Sequence, residues 1–261
     1  MMNVALITGA SGGIGKEFAL IYAQEGFDLV LVARNEEKLA ELKNQIEARY
    51  HVRVWTYPKD LSEKDAALDV FDFVIENKIE VGVLINNAGF GYRAPFGDSD
   101  WQRQFEMVQV NVVALMQLTW CFIKPMVEQG WGRIINVSSV ASFCAGPNMS
   151  IYYASKAFVR SFSEAVHEEL KGTGVAVTAV CPPPTSTGFE KNADLTGSRM
   201  FNLIRPISAH DVAVAGFRSS MLGRPLCYVG AFTKIASVGV RFVPRSVSRR
   251  FAEFINGQAT R

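Results

Sequence analysis

The first twenty-two residues constrain this chain most. Val4–Thr8 is a short apolar, β-branched run, a glycine-rich turn follows, and Ile14, Phe18, Ile21 and Tyr22 then recur at helical spacing. Strand, turn and helix repeat down the sequence. Leu29–Ala33, Val52–Tyr57, Val81–Asn86, Gly132–Ser138, Val175–Val180 and Leu226–Val229 read as further strands, each beside a helix-like stretch. Asn35 is placed to cap a helix whose inner face carries Leu39, Leu42 and Ile46. The longest helical patterns, Trp101–Gln129 and Ile151–Lys171, are expected to lie side by side. Nearly continuous apolar strands alternating with helices predict an α/β fold. Its parallel sheet is doubly wound and covered by helices on both faces, because right-handed crossovers place them there.

Length and composition agree with one such domain. The 261 residues contain no linker, internal repeat or low-complexity segment, and 49% hydrophobic content with 20% charge excludes a disordered chain. A net charge of +2 excludes a nucleic-acid binder. Cys121, Cys144, Cys181 and Cys227 are widely spaced, which suits reduced packing residues in a cytoplasmic protein. His51, His167 and His210 have no metal-ligand spacing, so no metal is expected. The N-terminus lacks the positive region of a signal peptide, and no charge-free apolar stretch reaches the roughly 20 residues a spanning helix needs. The charge is unevenly placed. From Lys234 onward the tail holds Lys234, Arg241, Arg245, Arg249, Arg250 and Arg261 against Glu253, a balance of +5, leaving −3 on residues 1–233.

The turn Thr8-Gly9-Ala10-Ser11-Gly12-Gly13-Ile14-Gly15 joins the first strand to the first helix. Glycines there let backbone approach a pyrophosphate held at the helix N-terminus. The end of the second strand bears on which dinucleotide. A carboxylate would bond the ribose 2′-hydroxyl of NAD, but Leu31-Val32-Ala33 ends without an acid and Arg34 follows. A guanidinium there matches a 2′-phosphate and stacks on adenine, so NADP(H) is the expected cofactor.

Tyr152 and Lys156 are four residues apart at the start of a strong helical pattern and share one helix face. An ammonium near a phenol favours phenolate, bringing proton exchange closer to neutral pH. With these motifs in order, the chain resembles the short-chain dehydrogenase/reductase family, of the short single-domain type. The resemblance rests on Thr8-Gly9-x-x-x-Gly13-x-Gly15, Asp60-Leu61, Asn86-Asn87-Ala88-Gly89, Asn111, Ser139 and Tyr152-x-x-x-Lys156, spanning residues 4 to about 190. It implies a Rossmann-type fold and interconversion of a small carbonyl compound with a secondary alcohol.

The resemblance also implies roles. Tyr152 would protonate the carbonyl oxygen, Ser139 would donate to the same oxygen, Lys156 would lower the Tyr152 pKa and bond the nicotinamide ribose, and Asn111 would hold a water leading to Lys156. Ser138 and Tyr153 are neighbours that the family spacing passes over. The turn residues Thr8, Gly9, Ser11, Gly13, Ile14 and Gly15, with Arg34, Asp60, Leu61, Asn87, Ala88 and Gly89, would bind cofactor together with Tyr152 and Lys156. Pro182, Thr185 and Thr187 would join them, although Pro183 stands where the family has a permissive glycine.

Thr185 to Ile207 reads as the substrate-covering segment, with Phe189, Leu195, Met200, Phe201, Leu203 and Ile204 as apolar area. Phe90, Tyr92 and Phe143 could add to the pocket. The whole pattern is closest to poorly defined bacterial reductases related to steroid and 3-oxoacyl reductases, and a homodimer or homotetramer through the long helices is expected. The alternatives are a cofactor-binding sensor or scaffold without turnover and a longer-branch sugar-nucleotide enzyme. The latter is disfavoured by the short chain after the proline turn. For the tail from about 232 to 261, two readings compete. One is weak peripheral contact with an anionic membrane or lipid-like substrate. The other, preferred here, is a segment that closes the pocket or the oligomer with its arginines solvated.

Overall fold

A computed structural model describes residues 3–187, 199 and 205–257. Seven strands form one parallel sheet: β1 (Val4–Thr8), β2 (Asp28–Ala33), β3 (Val54–Pro58), β4 (Val81–Asn86), β5 (Gly132–Val137), β6 (Val175–Cys181) and β9 (Leu226–Tyr228). The spatial order β3-β2-β1-β4-β5-β6-β9 reverses direction between β1 and β4, the point where doubly wound sheets open a ligand crevice. All six pairings are parallel, for example Leu6 beside Val30 and Ile134 beside Val177.

Period-two alternation sorts the core into two layers. Val4 and Leu6 of β1 face a cluster with Leu118, Phe122 and Val166, whereas Ala5 and Ile7 face Phe18, Tyr22 and Val212. The second layer belongs to α1 (Gly13–Gln24), α2 (Glu36–Tyr50) and α7 (Ala209–Met221). The first belongs to α3 (Ala66–Glu76), α5 (Leu115–Glu128) and α6 (Ser150–Glu169). Asn35 caps α2 as expected, its side chain accepting from Lys38 N at 2.7 Å.

The pattern over Trp101–Gln129 resolves into α4 (Trp101–Val108), a π-helical stretch (Gln109–Ala114) and α5, with Pro125 inside α5. Trp101–Glu128 is long and apolar enough to cross a membrane, but Met107, Leu118, Phe122 and Met126 are buried in the molecule's own core. Strand ends differ from expectation by one or two residues, most at β3, which starts at Val54, the Arg53 N–H donating to the Asp28 carboxylate at 2.8 Å.

Two short strands, β7 (Thr185–Ser186) and β8 (Ile207–Ser208), pair in parallel and join the ends of the expected covering segment. Phe189, Leu195, Met200, Phe201, Leu203 and Ile204 lie outside the described residues. The tail forms α8 (Gly230–Phe242) and α9 (Arg245–Asn256), separated at Pro244.

Candidate active site

A cavity of about 870 Å³ opens at the C-terminal ends of the strands, between the glycine turn and the tail helices. At one end lie Gly9, Ser11, Gly12, Gly13 and Ile14, with Asn87, Ala88 and Gly89 beside them. Gly9 and Gly13 have φ of +65° and +53°, where a side chain is strained. A Cβ on Gly9 would stand 2.8 Å from Asn87 Nδ2, and one on Gly15 would overlap the Gly9 carbonyl oxygen. Thr8 holds the two loops together. Its Oγ1 accepts from Asn87 N and Ala88 N at 3.0 Å each, while Asn87 Nδ2 donates to Thr8 O at 2.9 Å. The glycines of this turn leave their backbone open toward the cavity, a cradle that fits a dinucleotide pyrophosphate.

Arg34 and Asp60 stand at the ends of β2 and β3, outside the cavity lining, and pair at 3.6 Å. Burial raises the Asp60 pKa, but hydrogen bonds from Ser62 and the Arg34 charge outweigh it and hold the carboxyl below its usual range. Leu61 packs into the core instead of facing the cavity. Lys38, on the first turn of α2, does line the cavity, and sequence reasoning missed it. Its signal was present as a cation three residues beyond the Asn35 cap, on the turn next to Arg34.

Tyr152 and Lys156 project from the first turns of α6 toward the centre of the cavity, and both are buried. Ser139, following β5, hydrogen-bonds the Tyr152 side chain and accepts from Ala141 N at 3.1 Å. The neighbouring candidates are spoken for. Ser138 Oγ donates to Lys156 O at 2.8 Å, and Tyr153 Oη donates to Asn256 Oδ1 at 3.0 Å.

Burial pushes the Tyr152 pKa up to about 12, with the Ser139 hydrogen bond pulling the other way. Burial also lowers Lys156 to about 8. The expected lowering of Tyr152 by the ammonium is absent here. Lys156 Nζ lies 5.9 Å from the Tyr152 ring centroid and donates to Val137 O at 2.9 Å, and desolvation of the phenolate dominates.

Asn111 lies in the π-helical stretch. Its Nδ2 donates to Phe90 O at 2.9 Å and Ser155 Oγ at 3.2 Å, and its Oδ1 accepts from Phe90 N at 3.1 Å. A Cβ on Gly89 would meet Asn111 Oδ1 at 2.9 Å and Lys156 Nζ at 3.4 Å, so Gly89 keeps the space between them open. Asn111 is therefore beside Lys156, with its amide engaged chiefly by Phe90 backbone.

The proline turn contributes Pro182, Pro183, Pro184, Thr185 and Thr187 to the lining. Thr185 Oγ1 donates to Pro183 O at 2.8 Å, and Pro182 O accepts from Val140 N at 2.8 Å. Thr187 approaches the glycine turn, its Cγ2 being 3.1 Å from where a Gly13 Cβ would lie. Phe90 and Phe143 line the cavity as expected, whereas Tyr92 does not. Cys121, Cys181 and Cys227 are buried, and Cys144, half-buried, packs against the Met107, Met149 and Tyr153 cluster while also lining the cavity.

The tail closes the opposite side. Phe232, Ile235, Ala236 and Val240 of α8 and Val247, Phe251, Ala252 and Ile255 of α9 face the cavity. Among the described residues no group of three or more His, Cys, Asp or Glu could hold a metal ion.

Comparison with known proteins points the same way. The family model for short chain dehydrogenases matches residues 3–196. Sulfoacetaldehyde reductase 2 of Chromohalobacter salexigens is 35% identical over 228 residues, covering 85% of this chain and 90% of that protein. A very-long-chain 3-oxoacyl-CoA reductase of Rattus norvegicus is 34% identical over 194 residues, 72% of this chain but only 61% of that protein. Among solved structures, a short-chain dehydrogenase from Sphingobium yanoikuyae in complex with NADPH superposes with a TM-score of 0.80 at 30% identity, covering 92% of this chain and 93% of its own.

Proposed function

This chain belongs to the short-chain dehydrogenase/reductase family, oxidoreductases of carbonyl and alcohol substrates, and we propose that it is an NADP(H)-dependent reductase of hydrophobic ketones, 3-oxoacyl compounds or steroid-like carbonyls. The observation that carries the proposal is the hydrogen-bonded Ser139–Tyr152 pair beside buried Lys156, in a cavity with the glycine cradle at one end and apolar helices at the other.

Tyr152 is the proton donor. Its raised pKa keeps the phenol neutral at pH 7, so it carries a proton for the carbonyl oxygen as negative charge develops there. Ser139 donates to the same oxygen and stabilises that charge in a site shielded from water. Lys156, its Nζ 5.9 Å from the Tyr152 ring centroid, has a pKa of about 8 that lets it exchange a proton near neutral pH. When bound, the reduced nicotinamide supplies the hydride. The backbone of Gly9, Gly13 and Gly15 would hold its pyrophosphate, Asn87–Gly89 would pass the adenosine ribose, and Asp60 would contact adenine. Arg34 and Lys38 supply the two cations that favour a 2′-phosphate over a free hydroxyl.

Support for the substrate class comes from Phe143, Phe232, Val240 and Phe251 along the cavity wall, and from a relative named for very-long-chain 3-oxoacyl-CoA reduction. An oligomer through the long helices is part of the same reading, supported by exposed Phe105, Met116 and Trp120 on α4 and α5. Four free cysteines support a cytoplasmic, reducing setting. A panel of ketones, 3-oxoesters and short aldehydes followed by NADPH absorbance tests the proposal. Turnover of the bulky apolar members, with kcat/KM at least tenfold higher for NADPH than for NADH, is expected. Tight NADPH binding without oxidation by any carbonyl would instead favour a sensor.

A further inference from the structure

The two tail helices also present apolar surface to solvent, continuous with the rim of the cavity. On α8, Ile235, Val238 and Phe242 are 71%, 51% and 84% exposed, and on α9, Val247, Phe251 and Phe254 are 52%, 57% and 50% exposed. At 100° per residue each trio falls within about 60° of its helix circumference, so each helix shows one apolar stripe to solvent. Lys234 and Arg241 border the stripe on α8 and Arg250 borders that on α9, with Arg245 and Arg249 on the far side of α9 and Glu253 the one acid from 230 to 257. Contiguous apolar surface with a charged border marks an interaction site.

We propose that α8 and α9 dock the protein on a phospholipid surface carrying anionic headgroups. Charge decides between this occupant and a second copy of the chain. A symmetric contact of this face with itself would set three bordering cations against three, each side offering one acid, whereas an anionic bilayer complements them. Basic helices with aromatic and aliphatic residues on the other face lie in the plane of such an interface. Ile235, Val247 and Phe251 belong both to the stripes and to the cavity wall, so docking turns the cavity rim toward the acyl region. The docking is independent of which carbonyl compound is reduced.

Co-sedimentation of the full chain with vesicles of phosphatidylcholine alone, and of phosphatidylcholine mixed with phosphatidylglycerol, tests the proposal without cofactor or substrate. The protein is expected to pellet with the anionic vesicles only. Joint replacement Arg241→Glu and Arg250→Glu is expected to weaken partition at least ~25-fold, each cation near such a surface being worth about a factor of five. Phe242→Ser is expected to weaken it about tenfold. None of these three residues lines the cavity, so carbonyl turnover without vesicles stays within about twofold of wild type and reports correct folding. Wild-type protein that ignores anionic vesicles, or a charge-reversed variant that partitions like wild type, overturns the proposal. If vesicle binding is absent and Phe242→Ser converts a dimer to monomer in sedimentation velocity, the face belongs to a second copy.

Discussion

At the scale of single residues, the burial of Lys156 is set against stability. Unfolded, its amine titrates near 10.5; folded, burial lowers it to about 8. Between those values the unfolded chain binds more protons, so stability rises with pH across that window, by ~3 kcal/mol in all. Lys156→Met removes the penalty. At pH 7 the variant is expected to be more stable by about 2 kcal/mol, the Val137 carbonyl having lost its partner, and the gap should close by pH 10.5. Urea unfolding at the two pH values checks this, and a variant less stable than wild type at pH 7 contradicts it. Lys38 and Arg34 bear on the cofactor. Replacing either with Glu is expected to lower kcat/KM for NADPH at least ~10-fold while leaving NADH within about threefold, since repulsion acts on the 2′-phosphate alone. Steady-state kinetics with both cofactors decides it.

At the scale of elements, glycines and one asparagine position the site. Gly15→Ala puts a methyl group into the Gly9 carbonyl oxygen at the start of α1, a clash with backbone that cannot rotate away. A loss of ~1–3 kcal/mol in stability and of cofactor binding is expected, measured by thermal unfolding with and without NADPH. Asn256 ends α9 wholly buried, accepting from Tyr153 Oη and donating to Pro147 O at 3.0 Å, while its own carbonyl accepts from Arg93 at 3.2 Å. Asn256→Ala strands the Tyr153 and Pro147 partners, and hydrogen exchange of α9 amides is expected to speed by an order of magnitude or more. These two elements mark the limits of the sequence pattern. The strand–turn–helix order and the Asn35 cap were legible because they depend on local periodicity and local hydrogen bonds. The π-helical stretch holding Asn111 was not, since its apolar spacing reads like that of the α-helices on either side. The Asn86–Asn136–Ser163 chain, with bonds of 2.9 Å at each step, tied β4, β5 and α6 together across 77 residues of sequence and left no local mark.

For the whole molecule, the charge asymmetry and the apolar tail belong to one design. α8 and α9 line the cavity, and their exposed apolar stripes share Ile235, Val247 and Phe251 with its wall. The two readings of the tail thus meet along one shared edge of the same helices, something spacing alone could not show. The catalytic assignment was better defined in sequence than its electrostatics. The family spacing selected Ser139 and Tyr152, whereas the hydroxyls of Ser138 and Tyr153 are engaged by Lys156 O and Asn256 Oδ1. The burial that raises Tyr152 and lowers Lys156 depends on residues brought together from distant segments. The most direct test of the enzyme's identity follows from that contrast: turnover of a bulky ketone, read by NADPH absorbance, for wild type, Tyr152→Phe and Tyr153→Phe. Loss of at least ~10³-fold for Tyr152→Phe with Tyr153→Phe within about tenfold of wild type is expected. Near-normal turnover by Tyr152→Phe would contradict the assignment of Tyr152 as the proton donor.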